Sequence, residues 1–341
     1  MVAGFQVMVG PGVVWDDQSW FMGERGGSMA RAQIVEGSRL SPAGRRPRLR
    51  RALDSKWAYM FVLPAMLVFA VFSIGPTIFS FVLSLFNWNY LNAAMSKFIG
   101  LQNYVDLVQG NRDPSFWSTM LVSAEFVVPM VIGGTVISLV LALLLSGGSK
   151  ILYGARTVVF LANVTPFVGV SIVWVWLFNP RYGLVNAFTG LFGVAPHDWL
   201  GDPKTAMPAI VMFSLWHEVG FTLIVFLGGL TTLDKSLSEA AQIDRANKLQ
   251  EIFYVVLPQL RPYTIFVFVM STVFSLQAFT QFFVMTGGGP GFSTATLGFA
   301  VYQQAFIYRK TGYAAALAVV LFALTAVLSL LQLKASRRAG R

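Results

Sequence analysis

Six stretches of this chain are apolar for long enough to cross a membrane, and no other feature narrows its possible folds so far. They lie near residues 57–86, 116–145, 157–179, 206–230, 263–285 and 312–333. A helix rises about 1.5 Å per residue, so about 20 residues span the ~30 Å hydrocarbon core. Inside that core each backbone N–H and C=O must find a partner, and a helix supplies it locally. The chain is 55% hydrophobic and 12% charged, about half the charged share of a soluble domain. The expectation is an all-α membrane protein with six transmembrane helices. Pro64 and Pro76 fall in the first run, where neighbouring helices would have to satisfy the freed carbonyls. That run is too long for a signal peptide, lacks a small-residue cleavage pattern and starts more than fifty residues from Met1. The absence of cysteine excludes disulfides and cysteine-ligated metal.

The net charge of +10 does not point to nucleic acid, because the basic residues cluster beside the apolar runs. Nineteen Lys and Arg fall in the N-terminal tail, the link with Lys150 and Arg156, the 231–262 loop and the C-terminal tail. Six fall on the alternate side: Lys97, Arg112, Arg181, Lys204, Arg309 and Lys310. The positive-inside bias therefore places both termini and the 231–262 loop in the cytoplasm. Residues 1–56 read as a largely disordered basic region, with GRRPRLRR at 44–51 suited to lipid headgroups and topogenesis. Met29 is a candidate start, since residues 1–28 are an odd mixture of Trp15, Trp20, Phe21 and glycines. The remaining organisation is a membrane domain over 57–333 and a basic tail over 334–341.

The 231–262 loop reads TTLDKSLSEAAQIDRANKLQEIFYVVLPQLRP. Ser236 or Ser238 is placed to cap a helix, with Glu239 in its first turn. Ala240, Ala241, Ile243, Ala246, Leu249, Ile252 and Phe253 recur at helical spacing, an apolar stripe that needs a cover. Pro258 is expected to end this helix and Pro262 to open the next span. The string SEAAQIDRANKLQEIFYVVLPQLRP resembles the EAA loop of permease subunits in binding-protein-dependent ABC importers. Glu239, Ala240, Ala241, Asp244, Ala246, Leu257, Pro258 and Pro262 match by position. Arg245 stands where that family usually has Gly, which raises the question of a positive φ at this position.

The resemblance implies a type I ABC importer permease fold and a loop that docks into a cleft of a separate ATPase, with Glu239 pairing with a basic residue there. This chain has no Gly-x-x-x-x-Gly-Lys-Ser/Thr phosphate loop. ATP and magnesium are accordingly expected on the partner ATPase, no cofactor on this chain, and no enzymatic activity in it. A second stretch, Thr286-Gly-Gly-Gly-Pro followed by Ser293-Thr294, Tyr302, Ala305-Phe306 and Gly312-Tyr313-Ala314-Ala315-Ala316, resembles the carbohydrate, maltose-type branch of these permeases. FIGLQNYVDLV at 98–108 resembles another feature of that branch. Taken alone, the glycine run also reads as a flexible connection. The resemblance further implies a second homologous permease, two ATPase copies and an extracytoplasmic solute-binding protein. It places the assembly in a bacterial cytoplasmic (inner) membrane and gives it a sugar as cargo, a disaccharide such as trehalose or maltose by analogy.

Polar residues within spans face protein or a watery cavity rather than lipid. The candidates for a substrate pathway are Asn163, Thr165, Trp216, His217, Glu218, Gln277, Thr280 and Gln281. Gln277, Thr280 and Gln281 fall within one helical arc of the fifth span, and Trp216 offers a flat face to a pyranose. Pro166 is placed to kink the third span after Asn163 and Thr165. Glu125, in the second span, reads equally as half of an interhelical hydrogen-bonded pair. His197 and His217 are the only histidines and fall in different compartments, so no catalytic or metal-ligand grouping forms. Three other readings stay open: an ABC permease for glycerol 3-phosphate or glycerophosphodiesters, an ion-coupled secondary transporter using Glu125 and Glu218, and a receptor or membrane scaffold.

Overall fold

The computed structural model describes residues 48–88, 93–110 and 112–338, and the expectations for residues 1–47 lie outside them. The chain falls into two units, Met1–Leu63 and Pro64–Arg341, and the buried core belongs to the second. Among the described residues five helices are long and apolar enough to span a membrane: α1 (Tyr59–Leu83), α3 (Phe116–Leu145), α7 (Pro203–Thr231), α9 (Lys248–Leu276) and α12 (Thr311–Arg338). A bent pair, α4 (Lys150–Val164) and α5 (Phe167–Leu177), passes the same test together and, counted as one span, brings the number to six. Short helices complete the set: α2 (Gln102–Gln109), α6 (Leu184–Gly190), α8 (Lys235–Ile243), α10 (Thr280–Met285) and α11 (Leu297–Tyr302). A small antiparallel pair joins Phe86 to Phe98 and Asn87 to Lys97. The helix containing α1 begins at Arg48, so the basic run 48–51 occupies its first turn.

Two expected spans differ in form. The third begins at Lys150 rather than at 157, and it bends at Pro166 as expected, through 101°. The ring of Pro166 removes an N–H and displaces the preceding residue from helical geometry, and Thr165 adopts ψ 137. The fifth starts fifteen residues earlier than expected, at Lys248, and stops at Leu276. Pro258 does not end it. A five-residue π turn, Ile252–Val256, precedes Pro258, with the Leu257 N–H bonded to the Ile252 carbonyl. The wider turn relieves the clash between a proline ring and the carbonyl four residues back. Pro76 is accommodated in the same way, behind the π turn Ala70–Ile74, and so depends on its own helix rather than on neighbours.

α7 is the central helix and packs on α3, α4 and α9. Ile210, Phe213, Leu223 and Phe226 on it are wholly buried. One core cluster joins Phe126 and Met130 of α3 with Phe213 of α7, Phe282 of α10 and Phe299 of α11. A second joins Leu107 of α2 with Leu297 and Ala300 of α11 and Tyr313, Ala316 and Leu317 of α12. Small hydroxyls tie these layers: Ser123 accepts the Leu297 N–H at 2.8 Å, and Gln332 donates to Thr272 at 2.8 Å. The glycine run is no flexible tether. Thr294 and Ala295 are wholly buried, Thr294 donates to the Gly289 carbonyl at 2.7 Å, and Gly288 at φ 82 lies against the Phe299 ring.

The α4–α7 contact depends on a missing side chain. A Cβ at Gly220 would stand 2.7 Å from the Val159 carbonyl oxygen and 3.1 Å from the Phe160 Cα. Both are backbone atoms, so relief requires the helices to part. Gly220→Ala should destabilise the fold by about 1–3 kcal/mol, read as an earlier thermal unfolding transition of purified protein; an unchanged transition would show that α4 and α7 separate freely.

Candidate functional site

The 231–262 loop is built from local signals. Asp234, rather than Ser236 or Ser238, caps α8: its carboxylate accepts the Ser236 N–H at 2.9 Å and the Ser236 hydroxyl at 2.7 Å. Those two donors hold the Asp234 carboxyl below its ordinary range, so the cap weakens only as pH falls through that lowered value. The expected single stripe of Ala240 to Phe253 is divided. α8 stops at Ile243, and a turn over 244–247 separates it from Asn247, whose capping box with Gln250 starts α9.

That turn has the two bonds of a Schellman motif. The Ala246 N–H reaches the Ala241 carbonyl and the Arg245 N–H the Gln242 carbonyl, both at 3.0 Å. Arg245 occupies the position that favours glycine and holds φ 58. The positive φ is therefore kept without the glycine. Glu239, Ala240, Asp244 and Arg245 are exposed, Ala241, Ala246 and Leu257 half-buried, and Pro258 exposed. Ile243, Leu249, Phe253 and Tyr254 stand 82%, 66%, 61% and 79% exposed, an apolar surface at the end of α8 and the start of α9 that no described residue covers. The loop is anchored to α9 by Thr232 with the Tyr263 hydroxyl at 2.8 Å and by the Asp234 N–H donating to Gln259 at 3.2 Å.

A second feature is a cavity of about 440 Å³ where two spans break. α4 gives way to α5 at Thr165–Pro166, and α9 gives way to α10 at Gln277–Phe279, with α5 packed on α10. Gln277, Thr280 and Gln281 are therefore not on one continuous helix. Gln277 closes α9, and Phe279 at φ −136 starts α10, yet all three side chains line the cavity. Asn163, His217 and Glu218 line it as well. Asn163 donates to the His217 carbonyl at 3.3 Å, and Ser271 donates to the Glu218 carboxylate at 2.6 Å. Phe167 meets the His217 ring edge-on at 4.6 Å. Aromatic walls with a few converging polar groups are the usual make-up of a small-molecule pocket.

Two candidates lie elsewhere. Trp216 packs on Trp174 and faces a separate apolar groove with Ile137, Val158 and Met212. Thr165 returns its hydroxyl to the Leu161 carbonyl at 2.9 Å and does not line the cavity. Glu125 is not half of an interhelical pair within this chain: it is exposed and makes no hydrogen bond or ion pair. The sequence reading missed Ser214 and Ser275, which line the cavity with side-chain oxygens that have no partner, as does the His217 Nε2. The signal was present, since Ser214 precedes Glu218 by four residues, as Ser271 does Ser275.

Residues 134–341 match the family described as binding-protein-dependent transport system inner membrane component. The chain belongs to this family. The probable ABC transporter permease protein PH1215 of Pyrococcus horikoshii is 31% identical over 284 residues, 83% of this chain and 96% of that protein. The trehalose/maltose transport system permease protein MalF of Thermococcus litoralis is 29% identical over 284 residues, 83% of this chain and 95% of that protein. Among solved structures, a chain of a bacterial ABC transporter involved in the import of the acidic polysaccharide alginate superposes with a TM-score of 0.74. It covers 86% of this chain and 100% of its own at 22% identity, a likeness of fold. This permease is thus a multi-pass membrane protein with an ABC importer permease fold. ATP hydrolysis in such systems belongs to a separate subunit, so the permease is not itself an enzyme.

Arg245→Gly should stabilise the turn by up to about 1 kcal/mol, because a non-glycine residue is strained in the left-handed region, whereas Arg245→Val should destabilise it. Limited proteolysis of the 244–247 turn reads both, and equal cleavage of the two variants would refute a backbone role.

Proposed function

We propose that this permease forms half of the transmembrane path of an ATP-driven sugar importer, and that its 231–262 loop seats on the ATPase in the cytoplasm. The observation that carries the cargo reading is the cavity at the two helix breaks. Its polar groups are amides, serine and threonine hydroxyls, His217 and Glu218, and among the described residues no Lys or Arg lines it. Amides and hydroxyls supply the mixed donors and acceptors that sugar hydroxyls need. The lack of a cation weighs against glycerol 3-phosphate or a glycerophosphodiester, whose phosphate would favour a fixed positive group. The name of the Thermococcus litoralis relative supports a disaccharide such as trehalose or maltose.

The remaining parts follow the same logic. A second homologous permease completes the path, and two ATPase copies bind ATP and magnesium. A solute-binding protein delivers the sugar on the face away from the 231–262 loop. The exposed apolar side chains from Ile243 to Tyr254 and the unpaired Glu239 form the surface that meets the ATPase, with Glu239 opposite a basic residue. Both termini lie in the cytoplasm, and the assembly sits in the cytoplasmic (inner) membrane. An ion-coupled transporter would leave this apolar loop surface without a partner.

The test is uptake by the assembled complex in proteoliposomes, with labelled trehalose and maltose against glycerol 3-phosphate. Gln277→Ala and Gln281→Ala should each lower sugar uptake and substrate-stimulated ATP hydrolysis several-fold, the effect of about 1 kcal/mol per lost hydrogen bond, with expression unchanged. Wild-type uptake in both variants would remove this wall from the site. Glu239→Lys should leave the permease inserted while abolishing coupling, so that transport is lost whether or not hydrolysis persists; unchanged transport would refute the docking role.

A further inference from the structure

The outer face of α3 carries a residue that its surroundings do not explain. Trp117, Leu121, Val128 and Ile132 stand 52%, 67%, 54% and 55% exposed along one side of the helix, as a lipid-facing stripe would. Glu125 lies in the same stripe, exposed and without a hydrogen bond or ion pair. Trp117 is anchored by its indole N–H on the Val108 carbonyl at 2.9 Å, the behaviour of an aromatic at the membrane–water boundary. Glu125 is eight residues further on, about 12 Å deeper along the helix. A carboxylate at that depth is tolerated only against protein or water, not against acyl chains.

We infer that the face of α3 bearing Leu121, Glu125, Val128 and Ile132 is a contact surface for a membrane-spanning helix of a second, different permease chain, which presents a basic side chain to Glu125. The inference rests on the importer reading only for the class of this partner. A second copy of the present chain does not fit. Among its described basic residues, Arg156 is bound to the carbonyls of Leu145 and Gly147, at the opposite end of α3. Arg261 and Lys334 lie towards that same end, and Lys204 is the second residue of α7, outside the apolar stretch. The other described basic residues fall between the spans or at the ends of helices, so none is placed at the depth of Glu125. The flanking aliphatic side chains supply the apolar packing, and the ion pair fixes the register of the two helices.

The experiment uses the assembled complex in its native membrane, with a photo-crosslinking amino acid at Leu121 or at Val128 and Glu125 left intact. Both positions should give adducts to one membrane-spanning segment of a second permease chain, with a Lys or Arg within a turn of the adduct. Glu125→Leu should leave membrane insertion unchanged and lower recovery of the assembled complex in mild detergent about tenfold. Glu125→Lys combined with the reciprocal change of the identified basic residue to Glu should restore it. Adducts to lipid alone, adducts to a second copy of this chain, or full assembly of Glu125→Leu would overturn the inference. Copurification of an ATPase with the unaltered chain separates the two ideas: its presence alongside lipid-only adducts defeats the interface and leaves the importer standing, and its absence defeats the importer.

Discussion

A chain in hydrocarbon has to satisfy its own backbone, and non-helical backbone at membrane depth survives only where protein or a water-filled cavity surrounds it. This permease departs from regular helix in two different ways. The π turns at Ala70–Ile74 and Ile252–Val256 shift the hydrogen-bond register without opening the helix. Thr165–Pro166 and Gln277–Phe279 are true interruptions, and the cavity lies at both. The two interruptions bring backbone, amides and hydroxyls to one place that continuous helices would keep apart, and α7 holds His217 and Glu218 across from them.

The same helices connect that cavity to the 231–262 loop. α7 passes the cavity at Glu218 and ends at Thr231, three residues before the cap of α8. α9 starts from the capping box at Asn247 and ends on the cavity wall at Gln277. The two helices are tied at this end by the hydrogen bond between Thr232 and the Tyr263 hydroxyl. The two hydrogen bonds of the Schellman geometry close the turn between α8 and α9 despite the arginine at its left-handed position.

Much of this was legible in the residues. Hydropathy alone located the second and fourth spans to within a few residues, since apolar length reports a span whatever surrounds it. The spacing around Glu239 pointed to the family to which the chain belongs, and Pro166 marked the bend of the third span. The helical arc of Gln277, Thr280 and Gln281 was misread, because nothing at 277–279 is a proline or glycine to announce a break. Pro258 misled in the opposite sense: a proline normally ends a helix, and only the π turn ahead of it lets α9 continue. Trp216 had the right chemistry on the wrong side of α7.

By itself the sequence determined that the chain is a multi-pass membrane protein, where its long apolar runs lie, where its loop begins and which residues carry polarity within those runs. Those properties depend on composition and on local spacing, which act over one or two helical turns. The tertiary structure decided which polar groups meet, that Gly220 lets α4 close on α7, that Gly288, Thr294 and Ala295 pack into the core, and that Glu125 is exposed with no hydrogen bond or ion pair among the described residues. These outcomes depend on contacts between segments far apart in the chain, and a local pattern of residues carries no record of the direction in which a bent helix turns.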